Sequence, residues 1–498
     1  MGFPKPGLKT GHALALCAGA LLTLAFAPFG FWPLTLLLPL LLWWLLIGQS
    51  FTQSLIRGWL FGLGFFGTGV SWVYVSIHVH SATPAPIAVI MTLAFVSALA
   101  VFFAVQAGLW QRFFAGRFGL LNWAALWVGF EALRSYLFSG FPWLLLGTAH
   151  LHSPLAGWAP ITGVFGVSAL ALLLSGLLFN GFKPAQTRLV RTACFSLSLF
   201  LLFAGWGLTQ QTWTQAEGEP LTAGLVQGNI PQANKWNPAY RQGIIQTYRS
   251  LSTEAGAVDL LIWPETALPL FPDSAKPLLE AIAQSGELGL ITGLASPSAR
   301  AGRHHNSLIT AGKAQGTYHK VQLVPFGEYL PLEDQLRGLV DFFNLPMSTF
   351  IPGPLHPAHL TSHGTRIAPL ICYEVAYPDF SARQAKASHW LLTVSNDAWF
   401  GRSIGPLQHL QIAQFRALET QRPMLRATNN GVTAFINHRG QIEKRLPQFE
   451  AGVLTGSFQP RSGMTPFMHT GSWPIWLGVM FWLAWRLHAQ SLSRRSGE

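Results

Sequence analysis

The chain has 498 residues, half of them hydrophobic and a tenth charged, with a formal net charge of +12, 20 Trp and 36 Phe. Soluble domains carry about a quarter charged residues, so this composition excludes an ordinary soluble protein and points to a membrane one. A nucleic-acid footprint is excluded as well, because residues 210–470 are near neutral, with 20 basic and 18 acidic side chains, and the basic excess lies in the apolar remainder.

A membrane span needs about 20 apolar residues. Such segments fall near 12–28, 31–48, 58–77, 86–110, 118–138, 155–180 and 190–208, with an eighth near 473–487. The basic residues of these regions alternate between connections. Lys5 and Lys9 precede the first span; Arg57, then Arg112 and Arg117, then Lys183, Arg188 and Arg191 lie on every second connection; Arg486, Arg494 and Arg495 follow the last. Intervening connections such as 28–33 and 78–86 carry no Lys or Arg. This positive-inside pattern predicts eight spans, both termini in the cytoplasm and 210–470 on the outer face. The expected domains are therefore 1–209 with helices 1–7, an extracytoplasmic domain at 210–470, and 471–498 with helix 8 and a cytoplasmic tail. Lys5, Lys9 and the run ending in Ala25-Phe26-Ala27 imitate a secretory signal, but the next span follows at once, and an uncleaved first helix is expected. Leu16 is too large for the position before Cys17 in a lipoprotein acceptor box.

Charge inside spans is costly and worth locating. Glu131 and Arg134 lie three apart on one helix face, which suits either a mutual ion pair or contact with a lipid headgroup. The connection Ser139–Gly147 is poor in charge and rich in aromatics, as an interfacial segment would be. His78 with His80, and His150 with His152, form two H-x-H pairs. No Cys or carboxylate accompanies them at ligand spacing, so interfacial histidines are expected rather than a metal site.

From Leu221 the pattern changes to short apolar runs alternating with amphipathic stretches. Strands are predicted at 221–226, 258–263, 288–293, 307–311, 367–371, 390–394 and 432–437, and helices at 240–254, 275–284 and 406–420. That alternation indicates an α/β layered domain, whose working groups tend to stand at strand ends. Three residues do so: Glu265 after Trp263-Pro264, Lys320 after Tyr318-His319, and Cys372 after Leu370-Ile371. Cys372 is also the one cysteine outside the apolar segments, since Cys17 and Cys194 lie within them. On an oxidising face it has no disulfide partner, and is either buried and inert or reactive. Each residue alone has a plain reading as a solvated charge or a small core side chain. Together they make a nucleophilic site. A carboxylate can take the thiol proton and return it to a leaving group, and a lysine can favour the thiolate and stabilise an oxyanion. If Cys372 opened a helix, its backbone N–H groups would assist both tasks.

Trp263-Pro-Glu265, Tyr318-His-Lys320 and Ile371-Cys372-Tyr-Glu374 resemble the Glu–Lys–Cys signatures of the nitrilase superfamily. Val226–Gln232, Lys235-Trp236, Leu323–Tyr329, Ser395–Gly401 and Phe141-Pro-Trp143 extend the likeness over essentially the whole chain. With them it resembles the apolipoprotein N-acyltransferases, membrane-embedded members of that superfamily. The resemblance implies an α-β-β-α sandwich set between polytopic helices in a bacterial inner membrane, with the sandwich in the periplasm. It implies transfer of an acyl chain from a phospholipid, through a Cys372 thioester, to the N-terminal amine of a diacylglyceryl-cysteine on an apolipoprotein. By matching motifs Glu265 is the general base, Lys320 the oxyanion partner and Cys372 the nucleophile. Glu328 supports them, Tyr373 and Glu374 flank the nucleophile, and Trp236 borders the substrate entrance. No cofactor, metal or nucleic acid is implied, and a monomer is expected.

The apolar, aperiodic stretch 341–351 suits either a mobile flap that shields the thioester from water or a packed loop. Two rival functions remain at this stage. A membrane-tethered amidase would use the same triad on an external C–N bond, although one helix would tether it. A transporter or receptor would need neither the triad nor spans so poor in polar residues.

Overall fold

The computed structural model describes residues 6–80, 83–116, 118–284, 286–329, 349–356 and 359–495. Positions 341–348 of the expected flap lie outside them. The chain divides into two compact units, Met1–Tyr74 with Pro84–Gln211 and Thr470–Glu498, and Val75–Thr83 with Thr212–His469.

The first unit is helical, with helices Leu8–Leu22, Leu34–Leu46, Phe51–Gly69, Ala85–Leu109, Gly119–Tyr136, Ala159–Phe182, Arg188–Leu208 and Trp473–Arg495 near the places where spans were expected. Among the described residues four stretches are long and apolar enough to cross a membrane: Leu8–Ala25, Ala85–Phe114, Pro154–Phe182 and Arg188–Leu208. A fifth is counted if Phe51–Gly69 and Val73–His80, bent by 57°, form one span. Phe51–Gly69 starts earlier than its apolar run because Ser50 caps it, accepting the Gln53 N–H at 3.2 Å. Its glycines set the helix spacing. A Cβ on Gly64 would strike the backbone of Leu16 and Ala20, and one on Gly58 would strike the backbone of Phe103, the small-residue approach typical of apolar helix packing.

Glu131 and Arg134 are both buried. Glu131 Oε1 accepts the Leu146 N–H at 2.7 Å and the Trp127 indole N–H at 3.2 Å. Arg134 donates to the carbonyls of Phe141 and Trp143 at 2.7 and 2.6 Å and lies over the Phe66 ring. Both side chains thus hold the backbone of the aromatic connection 141–146, and Arg134 also lies within electrostatic reach of Glu131, in keeping with the mutual pairing expected of them. His150 is buried between the hydroxyls of Thr35 and Ser153, each 2.9 Å from a ring nitrogen.

The second unit is built on two six-stranded sheets. One uses β2 (Leu221–Gln227), β3 (Leu260–Ile262), β4 (Gly289–Pro297), β5 (His304–Gly312), β6 (Thr317–His319) and β13 (Gly452–Phe458), in the order β13-β2-β3-β4-β5-β6. The other uses β7 (Leu360–Ser362), β8 (Thr365–Ile371), β9 (Trp390–Ser395), β10 (Met424–Thr428), β11 (Ala434–Ile436) and β12 (Ile442–Arg445), in the order β12-β11-β10-β9-β8-β7. Central pairs β2–β3–β4 and β8–β9–β10 are parallel, and the remaining pairs are antiparallel. A short ribbon of β1 (Thr214–Ala216) and β14 (Arg461–Gly463) joins the two ends of the long segment.

The core sits in two layers. Leu225, Ile262, Ile291 and Leu308 of one sheet meet Ile371, Trp390, Val394 and Phe435 of the other. Tyr248, Leu251, Ala275 and Leu279 of helices Arg241–Glu254 and Pro272–Ile282 cover the outer face of the first sheet against Val226, Leu261 and Leu290. Helices Pro378–Ala385 and Gly405–Thr420 pack on β8 and β10 of the second. The result is helices, sheet, sheet, helices, as both central sheets being buried on two faces requires.

Candidate active site

The sandwich brings the ends of β3, β6, β8 and β9 to one place. β3 stops at Ile262, and Trp263-Pro264 carries the chain to Glu265. Ala267 N–H then bonds the Gly293 carbonyl at 2.8 Å, pulling the turn onto β4. That approach requires glycine, since a Cβ on Gly293 would lie 2.6 Å from Thr266 N and 2.7 Å from Glu265 Cα. Backbone atoms there cannot step aside. We expect Gly293→Ala to displace Glu265 and slow whatever reaction the site performs by about 10²-fold, with most of the fold retained. Reaction rate and melting temperature measured together would check this, and an unchanged rate would contradict it.

Glu265 is 7% exposed. Its Oε1 accepts Asn306 Nδ2 at 2.7 Å and Lys320 Nζ at 3.4 Å, and its Oε2 accepts the Asn396 N–H at 2.9 Å. Lys320, 1% exposed, also bonds Glu328 Oε1 at 2.9 Å. Glu328 is held in turn by Asn306 Nδ2 at 2.9 Å and by the Val324 N–H at 2.8 Å. Burial disfavours the Lys320 ammonium, but Glu328, Glu265 and Cys372 outweigh it and keep the side chain charged.

Cys372 lies within electrostatic reach of Glu265, Lys320, Asp397 and Glu328. Its φ is +52°, a left-handed conformation that costs a non-glycine residue about 1–3 kcal/mol and persists where surroundings enforce it. Two restraints do so. Glu374 Oε2 accepts the Ile371 N–H at 2.7 Å, and His409 Nε2 stands 3.1 Å from the Cys372 carbonyl. Since that carbonyl only accepts, Nε2 is the donor. His409 Nδ1 is 3.1 Å from Asp397 Oδ1, and Asp397 Oδ2 is 2.7 Å from Arg426. Burial opposes ionisation of Asp397, but Arg426 and His409 outweigh it and hold the carboxyl below its usual range. All three side chains are buried.

Cys372 opens a five-residue 3₁₀ turn, Cys372–Ala376, rather than an α-helix, because its left-handed φ precludes regular helix geometry, so the condition for help from a helix terminus is not met. Lys320 favours the thiolate, as expected, but burial and the Glu265 charge push the thiol well above its ordinary value and Lys320 only partly offsets them. Such a thiol needs a base to become reactive.

Glu374 is fully buried and accepts four hydrogen bonds, from Tyr318 OH and the Ile371 N–H on Oε2 and from the Val321 and Gln322 N–H groups on Oε1. It ties the Cys372 turn to the segment bearing Lys320. Tyr373 is buried beside it, edge-on to Tyr377. Trp236 is 42% exposed, and its segment joins the site through neighbours: Gln232 Oε1 accepts Asn396 Nδ2 at 2.6 Å, and Lys235 reaches the Glu265 carbonyl at 3.4 Å. The structure thus unites Glu265, Lys320, Glu328, Cys372 and Glu374. It adds Asn396 and Asp397, which lie in the Ser395–Gly401 motif but were given no role by the sequence, and Asn306, His409 and Arg426, which the sequence did not single out. Among the described residues no group of three or more His, Cys, Asp or Glu could hold a metal.

Residues 18–177 match the Apolipoprotein N-acyltransferase N-terminal domain family, and residues 222–464 match the Carbon-nitrogen hydrolase family. An apolipoprotein N-acyltransferase of Pseudomonas syringae pv. tomato is 44% identical over 98% of this chain and 99% of its own. One of Pseudomonas aeruginosa is 45% identical over 98% and 97%. One of Coxiella burnetii is 38% identical over 93% and 96%. The chain carries a nitrilase-like carbon–nitrogen hydrolase domain beside several helices apolar enough to span a membrane, and with full-length relatives at this identity it belongs to the apolipoprotein N-acyltransferase family.

Proposed function

We propose that the protein transfers an acyl chain from a phospholipid to the N-terminal amine of diacylglyceryl-cysteine on apolipoproteins, using Cys372 as nucleophile, Glu265 as base and Lys320 as oxyanion partner. The observation that carries this reading is the buried cluster at the sandwich end, in which the Glu265 carboxylate, held between Lys320, Asn306 and the Asn396 N–H, lies within electrostatic reach of Cys372. In the first half, Glu265 takes the Cys372 proton as sulfur attacks the ester carbonyl. Lys320 stabilises the oxyanion. The C–O bond breaks, Glu265 protonates the departing lysophospholipid oxygen, and a thioester remains. In the second half the α-amine attacks that thioester. Glu265 takes its proton and returns it to Cys372 as the C–S bond breaks and the amide forms.

We further propose that eight helices span a bacterial inner membrane with both termini cytoplasmic. Residues 1–209 and 471–498 supply them, and 210–470 form a periplasmic domain acting as a monomer. Glu328 and Glu374 support the triad, Tyr373 lies beside the nucleophile, and Trp236 stands at the substrate entrance. The alternation of basic connections supports the topology.

Purified protein incubated with a phospholipid bearing labelled acyl chains should gain one acyl group, mapped by mass spectrometry to the peptide containing Cys372. A diacylated lipopeptide should discharge it as an amide. Discharge by water alone at an equal rate would indicate a hydrolase, and absence of any adduct would sink the acyl-enzyme reading.

A further inference from the structure

The acyl-transfer steps give no role to Lys235, a cation beside Glu265. It ends the short helix Gln232–Lys235 and is 1% exposed. Its ammonium carries three N–H donors. Among the described residues it has one hydrogen bond, the 3.4 Å contact to the Glu265 carbonyl oxygen. A buried ammonium so poorly served by hydrogen bonds is retained only where a charge nearby compensates it.

The site supplies such a charge. Oε1 of Glu265 and Oε1 of Glu328 share one amide donor, Asn306 Nδ2 at 2.7 and 2.9 Å, and one cation, Lys320 Nζ at 3.4 and 2.9 Å. Two carboxylates on one ammonium leave a net negative charge in a buried place, which an uncompensated site does not hold without cost. A protonated Glu265 could not act as a base. The groups facing Glu265 are Asn306 from β5, Lys320 and Glu328 after β6, Cys372 after β8, the Asn396 N–H after β9, and Lys235. Of these, Lys320 and Lys235 alone are cations, and Lys320 is shared with Glu328.

We propose that Lys235 is the counter-charge of Glu265: it makes the buried cluster two anions and two cations, and so keeps Glu265 ionised and able to accept the Cys372 proton. Lys235 acts through Glu265 and does not touch the substrate. Burial lowers its ammonium and Glu265 partly opposes this, leaving it at about 8, so it is mostly a cation at neutral pH and owes part of that to the carboxylate. The inference rests on the reading of Glu265 as base.

Its test is the pH dependence of Cys372 alkylation by iodoacetamide, in full-length protein in detergent, read on the Cys372 peptide by mass spectrometry. In the wild type the rate should rise with pH along an acid limb belonging to the coupled Glu265–Cys372 pair. Lys235→Met should move that limb up by about 1–2 pH units, with rates meeting the wild type on the plateau. Lys235→Gln can still donate to the Glu265 carbonyl but has no charge, and should shift the limb equally. If Lys235→Met does not fold, Lys235→Gln carries the comparison. A limb that stays in place in Lys235→Gln would overturn the proposal, as would a plateau lowered at every pH with no shift. Glu265→Gln separates the two readings. If the acid limb persists in it, Glu265 is not the base. If it vanishes there but does not move in the Lys235 variants, the counter-charge role alone fails.

Discussion

Lys320→Met should lower acyl transfer by about 10³-fold or more and destabilise the protein by about 3–5 kcal/mol. The first figure follows from the proposed role of Lys320, since losing a preorganised oxyanion donor by itself costs about 10²–10³-fold. Rearrangement of Glu265, which loses one of its three hydrogen-bond partners, adds to it. The second follows from burial. Glu265 and Glu328 are each 7% exposed and share this ammonium, and breaking a buried pair by removing one partner leaves uncompensated charge. The two effects can be separated. At a pH low enough to protonate one carboxyl, the variant should regain much of its stability without regaining activity. Acylation rate and thermal unfolding at pH 5 and 8 would show this. A variant equally destabilised at both would mean that the carboxylates do not depend on Lys320 for their ionisation. Lys320→Arg should not rescue transfer, because the planar guanidinium does not fit a site 1% exposed and shaped to a point charge.

Glu265 and Cys372 were legible in the sequence by their position just beyond short apolar runs, and Lys320 by the Tyr318-His-Lys320 signature. The groups that orient them had no such signature. Arg426 lies in the middle of β10, 0% exposed. A charge there breaks the apolar pattern by which a strand is recognised, so Met424–Thr428 did not read as one. It is buried because Asp397, 2.7 Å away and two elements earlier, balances it, and that pairing is a property of the sheet order. β6 and β7 have three residues each, too few for periodicity to register, although β6 delivers Lys320. The left-handed φ of Cys372 is likewise invisible, since local preference argues against it and the bonds to Ile371 N–H and the Cys372 carbonyl come from residues 3 and 37 positions away. In the helical unit the apolar runs located the helices. The backbone partners of Glu131 and Arg134 could not be read, because they lie in a connection 7 to 15 residues onward.

Glu374→Gln, nominally a conservative change, should cost about 1–3 kcal/mol and slow transfer by about 10²-fold. All four partners of this carboxyl are donors, three of them backbone N–H groups. An amide in its place must point its NH₂ at one pair of them. Facing Val321 and Gln322 it would orphan two N–H groups. Facing Tyr318 and Ile371 it would orphan one, since the Tyr318 hydroxyl can turn and accept, and the chain should choose this. The unpaired Ile371 N–H accounts for the stability loss. It also immediately precedes Cys372, so the strained turn loosens where a misplacement of about 1 Å is worth 10²-fold. The charge adds a pH signature. Burial pushes the Glu374 carboxyl up to about 7 from a reference of 4.5, although its hydrogen bonds and Lys320 oppose the shift. A group whose pKa is higher folded than unfolded stabilises fully below the unfolded value, and that contribution is lost as pH rises through about 7. The difference amounts to about 3 kcal/mol. The protonated form is tolerated because Tyr318 alone among the four partners can reverse its bond and accept the new proton. The penalty of Glu374→Gln, measured by thermal unfolding against the wild type, should therefore be larger at pH 5 than at pH 8. Equal penalties would mean that Glu374 stays ionised throughout, and Tyr318→Phe, which removes the reversible partner, should flatten the wild-type slope in the same range.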